Sequence, residues 1–217
     1  MTTMRESKQK CFVCGKEATC PVLSSTNAMG SPDLDLRPPE MERSTMVYWI
    51  QKCPHCGYVS GKLSDDTSIN QGWLASPEYK TCEGIKFASG LAARFYQYHM
   101  VSLADEKLDS AFYALLHSAW ACDDADDKEN AIKCRTLAIP LLERLIEEGD
   151  NAEKTENLKV LKADLQRRAL LFDSLIEEYR GQSFSNDLLN QIILFQLAKA
   201  RQQDAACYTV SDVAETS

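Results

Sequence analysis

Cys11-Phe12-Val13-Cys14-Gly15, together with Cys53-Pro54-His55-Cys56-Gly57, decides how this chain folds. In each segment two residues separate the cysteines and a glycine follows. The spacing closes a tight turn that aims both sulfurs at one point, and the glycine takes the backbone angles that the turn demands. Two such turns place four sulfurs at the corners of a tetrahedron, which suits Zn²⁺ with bonds of about 2.3 Å. Cys11, Cys14, Cys53 and Cys56 are therefore the predicted metal ligands, and Zn²⁺ the predicted cofactor. A filled shell of four thiolates has no open position for water, so the site is expected to be structural rather than hydrolytic. A redox dithiol fits less well, because two glycine-ended pairs occur together and no βαβ context surrounds them. Metal at such a site contributes about 10–16 kcal/mol of apparent folding free energy. Chelation is thus expected to unfold residues 11–60 and to leave most of the helix signal. His55 as a fifth ligand and Cys20 as a replacement ligand are the weaker alternatives.

Outward from the two knuckles, residues 1–10 are polar and charged and are expected to be a disordered tail. Residues 15–52 separate the knuckles, long for a minimal ribbon. The middle of this insert, Met29 to Glu40, holds three prolines and a glycine, which exclude a regular helix. Thr45 to Lys52 alternates Met46, Tyr48 and Ile50 against Val47 and Trp49, which predicts a strand entering the second knuckle. A short strand, Tyr58-Val59-Ser60, is expected to leave it. Residues 11–60 then form a zinc-ribbon-like domain with a long insert loop, and residues 61–76 a polar connection.

Residues 77–203 are expected to be an α-helical domain, with a flexible tail at 204–217. Ser76-Pro77-Glu78 has the cap, proline and acid of a helix start. Amphipathic helices are predicted at about 77–101 (broken near Gly84 or Gly90), 105–122, 128–148, 153–180 and 185–203. Pro140 should kink the third. Short turns between long helices imply antiparallel neighbours. Ala119, Ala131 and Ala138 loosely match the small positions of a tetratricopeptide repeat, while Cys122 stands where the repeat's tyrosine would be. The fold class is thus mostly α with a small β zinc ribbon. The helices form an antiparallel hairpin array, either tetratricopeptide-like or a plain bundle.

Composition narrows the function classes. The 217 residues are 44% hydrophobic and 26% charged, as in ordinary globular proteins. The polar start lacks the apolar core of a secretory signal, and no run approaches the roughly 18 apolar residues of a membrane span. The expected location is the cytoplasm. Nine cysteines, an odd count, argue against a disulfide framework. Residues 1–60 carry seven Lys/Arg against six Asp/Glu, and residues 61–217 carry 17 against 26. Neither part has the basic footprint of a nucleic-acid binder.

Residues 11–60 also resemble a bacterial family known as a domain of unknown function. The resemblance rests on a first C-x-x-C-G knuckle (Cys11 to Gly15) and a D-x-D segment, Asp33-Leu34-Asp35, running into Arg37-Pro38. It rests also on a second knuckle of the form C-P-x-C-G-Y, Cys53 to Tyr58, after an aromatic strand. It covers about fifty residues. Phe12-Val13 departs from the pattern, where a proline is more usual. The resemblance implies a zinc ribbon followed by tetratricopeptide-like helices, and it carries no established activity.

Asp33, Asp35, Arg37, Glu40 and Arg43 form the polar cluster of most interest outside the knuckles. Paired carboxylates of this kind can hold a hard cation or do acid–base work. With no nucleophile or phosphate-binding loop beside them, cross-bracing of the insert is the favoured reading. His99 and His117 are expected to be core or surface residues. The acidic run Asp123–Asp127 lacks the glycine and terminal glutamate of a calcium loop. Ile192-Ile193-Leu194-Phe195 belongs either to the core or to a docking surface. No catalytic residue is assigned, and the chain reads as leaning away from an enzyme. The favoured function is a protein-interaction module: an adaptor whose helical array grips a partner protein. The alternatives are a nucleic-acid-associated zinc-ribbon factor and an enzyme using the Asp33/Asp35/Arg37 cluster. The sequence sets no oligomeric state.

Overall fold

The computed structural model describes residues 1–215. The chain begins with β1 (Thr3–Lys10), which pairs antiparallel with β2 (Glu17–Ser25) across the first knuckle, Lys10 opposite Glu17. Residues 3–10 are therefore not a tail. The knuckle returns the chain within the six residues 11–16, and the returning strand supplies the backbone partners that order the first. Two shorter strands, β3 (Gln51–Lys52) and β4 (Val59–Ser60), flank the second knuckle in the same way.

The insert enters β3 through a 3₁₀ helix, Arg43–Tyr48, where the sequence suggested a strand. Its residues satisfy two periods at once. Thr45, Met46 and Ile50 are the ones buried, and Trp49 Nε1 donates to Thr45 Oγ1 at 2.9 Å. Contacts three and four residues apart win over alternation because the apolar surface below this segment belongs to the helices.

After the short helices α1 (Gln71–Leu74) and α2 (Pro77–Lys80), six longer elements make the body. They are α3 (Gly90–Ala104), α4 (Leu108–Asp124), α5 (Lys128–Glu147), α6 (Ala152–Arg168), α7 (Phe172–Tyr179) and α8 (Asp187–Arg201). Each packs on the next, and α6 also packs on α8. The fold is mostly α with small antiparallel two-stranded sheets. The helix starts follow the sequence: Ser76, Ser89, Asp127, Asn151 and Asn186 each accept a backbone N–H of the first turn. The expected helix at 77–101 is divided, since 81–84 is 3₁₀ and 85–89 is extended loop. α5 runs on through Pro140, whose missing donor lies on the exposed face.

Four turns share one construction. Glu106, Asp126, Leu170 and Gln203 each adopt a left-handed backbone, with φ between 53° and 63°. In each, the next residue's N–H returns to the carbonyl five positions earlier: Lys107 to Ser102, Asp127 to Cys122, Leu171 to Gln166 and Asp204 to Lys199. These are helix-ending motifs that usually employ glycine. The one at Leu170 divides the expected helix at 153–180 into α6 and α7.

The core has two parts. One runs without a break from Cys11, Cys20, Met46, Ile50, Cys53 and Tyr58 into Phe95, Phe112, Leu116, Leu142 and Leu165. The other holds Leu175, Tyr179, Phe184, Ile193 and Phe195, together with Leu34 from the insert. The last helix, α9 (Val210–Glu215), and the segment before it are also ordered against the insert. Leu34 N–H donates to Tyr208 O at 2.9 Å and Val210 N–H to Pro32 O at 3.0 Å. The expected flexible tail is thus docked over residues 204–215, while 216–217 lie outside the described residues.

Candidate metal centre and its buried brace

The two knuckles are built alike. Cys11 N–H donates to Lys16 O at 2.9 Å and Gly15 N–H to Cys11 O at 2.8 Å. Cys53 N–H donates to Tyr58 O at 2.8 Å and Gly57 N–H to Cys53 O at 3.0 Å. Gly15 and Gly57 have φ of 69° and 79°, where a side chain is strained, and this explains the glycine after each second cysteine. The four sulfurs lie within 4.8 Å of one another. Cys11 Sγ is 3.7 Å from Cys56 Sγ, and Cys14 Sγ is 3.7 Å from Cys53 Sγ. A tetrahedron with 2.3 Å metal–sulfur bonds has edges of about 3.8 Å, whereas a disulfide would need about 2.05 Å. The site therefore fits a four-coordinate metal ion and is not a pair of disulfides.

The thiols are prepared unequally. A backbone hydrogen bond at Lys16 holds Cys14 below its ordinary pKa. Burial pushes Cys11 and Cys56 up, opposed by backbone hydrogen bonds at Cys14 and at Tyr58 respectively. A bound cation would supply the charge that lets all four ionise. His55 is not turned toward the sulfurs. Its Nε2 sits 3.0 Å from Glu17 O and ties the second knuckle to the first strand pair. Cys20 is buried in the same core, outside the group of four.

The acid–arginine cluster of the insert separates into four places. Asp35 is fully buried, and its Oδ2 accepts from Arg168 Nη1 at 2.6 Å, Trp120 Nε1 at 2.8 Å and Arg135 Nη2 at 3.4 Å. Desolvation works against its charge, but Arg168 and Arg135 overcome it and hold the carboxyl below its usual range. Arg37 reaches Asp124 at 2.6 Å. Asp33, also buried, accepts from Arg43 Nη2 at 2.5 Å and from the Cys207 thiol at 3.2 Å. Glu40 stands apart on the surface, accepting from Ser44. Asp123 completes the brace, accepting from Arg135 Nη2 at 2.5 Å and Arg168 Nη2 at 2.7 Å.

Sequence reasoning missed Arg135, Arg168, Asp123 and Trp120. A signal was available. Arg135 falls four residues after Ala131 and three before Ala138, and Arg168 falls seven after Leu161. Both sit on the inward stripe of their helices, where an unpaired charge would be costly. His99 is a core residue, with Nδ1 3.0 Å from Ala111 O. His117 is enclosed by Trp49, Phe95, Tyr113 and Trp120 at centroid distances of 4.8–6.3 Å, and burial lowers its pKa to about 4.

Fold and site together define a mostly helical protein whose N-terminal lobe can hold a metal ion on four cysteines. No protein-family model matches the chain, and neither a curated protein nor a solved structure matches it. No helix among the described residues is long and apolar enough to cross a membrane.

Proposed function

We propose that this chain is a protein-interaction module, with zinc as the structural ion of the four-cysteine lobe and the helical body as the part that grips a partner. The observation that carries the reading is on α8. Ile192, Ile193 and Phe195 are buried, but Leu194 between them is 67% exposed and Leu188 is 42% exposed. Leu194 and Phe195 line a groove of about 490 Å³ with Ala198 and Val213. Apolar surface held open on a rigid helix is typical of a docking face. The four thiolates would leave zinc no open position, so the metal would shape the lobe rather than react. The resemblance of residues 11–60 to a bacterial domain of unknown function supports the zinc ribbon alone, and the setting proposed is the cytoplasm, where the scattered thiols would stay reduced.

The test compares tagged wild type, Cys53→Ser and Leu194→Glu as baits in the native cell, each checked for fold by circular dichroism. The reading predicts one protein retained in fixed stoichiometry by wild type and lost by Leu194→Glu. Equal retention by all three baits, or none by wild type, would overturn it. Metal analysis of the purified chain should return one zinc per molecule.

A further inference from the structure

The exposed face of α8 is built as its own complement. We propose that it pairs antiparallel with α8 of a second copy of this chain, making a two-fold dimer centred on Leu194. The proposal rests on the docking reading of α8 given above and names its occupant. Asp187, Gln191, Leu194, Ala198 and Arg201 are all exposed and follow one another at intervals of four, three, four and three residues. That is the spacing of a single helix-pairing seam. The other side of the helix is already used, since Leu189, Ile192, Ile193 and Leu197 are buried in the core. The seam itself stays open, with Leu194 67% exposed.

What selects a second copy over another protein is the arrangement of charge. Asp187 lies seven residues before Leu194 and Arg201 seven after it, so the two stand about 10 Å to either side of it. A two-fold interface needs each group to meet its complement at equal distance across the axis. An antiparallel copy supplies this. Asp187 of each protomer faces Arg201 of its partner, and neither side chain has an ion-pair partner within its own chain among the described residues. Between these pairs and the axis, the longer Gln191 meets the small Ala198. The two Leu194 side chains meet at the centre, beside the groove that Phe195, Ala198 and Val213 wall. A parallel copy, by contrast, would set Asp187 against Asp187 and align the two helix dipoles unfavourably. A single pair of fifteen-residue helices buries less than the roughly 800 Å² a side of a standard interface, so the dimer is weak, with a Kd of about 10–100 μM.

Sedimentation equilibrium of the purified full chain at about 1–500 μM tests the pairing. The expected result is a monomer–dimer equilibrium. Leu194→Glu should leave monomer at every concentration while keeping the melting temperature of dilute wild type. Asp187→Arg alone and Arg201→Asp alone each set like charges opposite one another at both ends, and each should weaken the dimer about fivefold or more. Mixed in equal amounts, the two variants again present opposite charges at both ends, and association between them should return to near the wild-type strength. Wild type that stays monomeric throughout overturns the proposal. So does a dimer that survives Leu194→Glu, a single charge variant that dimerises as well as wild type, or a mixture that associates no better than its components. Failure here is separable from failure of the interaction reading. If wild type is monomeric, yet the wild-type bait retains a protein that Leu194→Glu loses, the face has an occupant other than this chain and only the pairing falls. If wild type is monomeric and its bait retains nothing, both fall.

Discussion

Asp35 links a loop of the N-terminal lobe to α5 and α6, which begin only at Lys128 and Ala152. Its carboxylate is buried against Arg135 and Arg168, and the indole N–H of Trp120 completes the shell. A buried ion pair adds little over an apolar pair of the same shape, yet removing one partner is severe because the other charge is left stranded. Asp35→Asn should therefore lower stability by about 3–5 kcal/mol, read from the urea midpoint at unchanged slope. Asp33→Asn should cost less, since Arg43 on that side is partly exposed and can turn to water. Equal losses for the two would argue that burial depth does not set the cost. His117 gives a prediction in pH. Its folded pKa, about 4, lies below the 6.5 of the unfolded chain, so the unfolded state binds more protons between these values. Stability is then full above pH 6.5 and is lost as pH falls toward 4, by about 3 kcal/mol for this group. His117→Phe should be flatter over that window, measured as the difference from wild type so that proton competition at the cysteines cancels. An identical pH profile in the two proteins would mean that the imidazole is not what resists charging.

The elements most legible in the sequence were those with a chemical marker at their ends. Ser76, Asp127, Asn151 and Asn186 cap helices close to the expected starts, and Gly15 and Gly57 mark the two knuckles. What escaped was marked by nothing. The break between α6 and α7 falls at Leu170, a residue type that ordinarily continues a helix, and no glycine or proline announces it. The 3₁₀ helix at 43–48 was hidden differently, because Thr45, Met46, Trp49 and Ile50 allow both a two-residue and a three-to-four-residue period. Only the apolar surface beneath decides between them. β1 was invisible because a strand with little buried surface looks like a tail until its partner is known. The left-handed turns supply a prediction at this scale. Glu106 is exposed and at φ 57° takes a conformation that costs a side-chain-bearing residue about 1 kcal/mol. Glu106→Gly should raise stability by about 0.5–1 kcal/mol, and Glu106→Val should lower it, since a β-branched residue fits the position worst. Thermal melts of the pair would decide it, and a loss of stability in the glycine variant would show that the glutamate side chain contributes more than its backbone costs.

The molecule as a whole couples metal to helices through shared core rather than through a hinge. Cys11 and Cys53 belong to the same apolar cluster as Phe112 and Leu142, and Trp49 stacks edge-on against His117 at 5.2 Å where lobe and body meet. Metal at a four-thiolate site is worth about 10–16 kcal/mol, comparable with the whole stability of an ordinary domain. Without it, the short strands β3 and β4 have too few backbone bonds to hold the second knuckle. Among the described residues, the other cluster, around Leu175, Tyr179 and Ile193, takes one buried apolar side chain from the lobe, Leu34. Stripping the metal should therefore loosen residues 11–60 and change the emission of Trp49, while most of the helical circular dichroism remains. Cys53→Ser should reproduce the stripped state, and restoring zinc should reverse it in the wild type only. Trp49→Phe should remove the emission change and leave the metal content intact. If helicity instead collapses with the metal in one transition, the ion holds the entire molecule and the shared core is weaker than its burial implies. If neither signal moves, the four sulfurs stand in place without an ion, and the lobe's stability must come from β1, β2 and the packing around Tyr58.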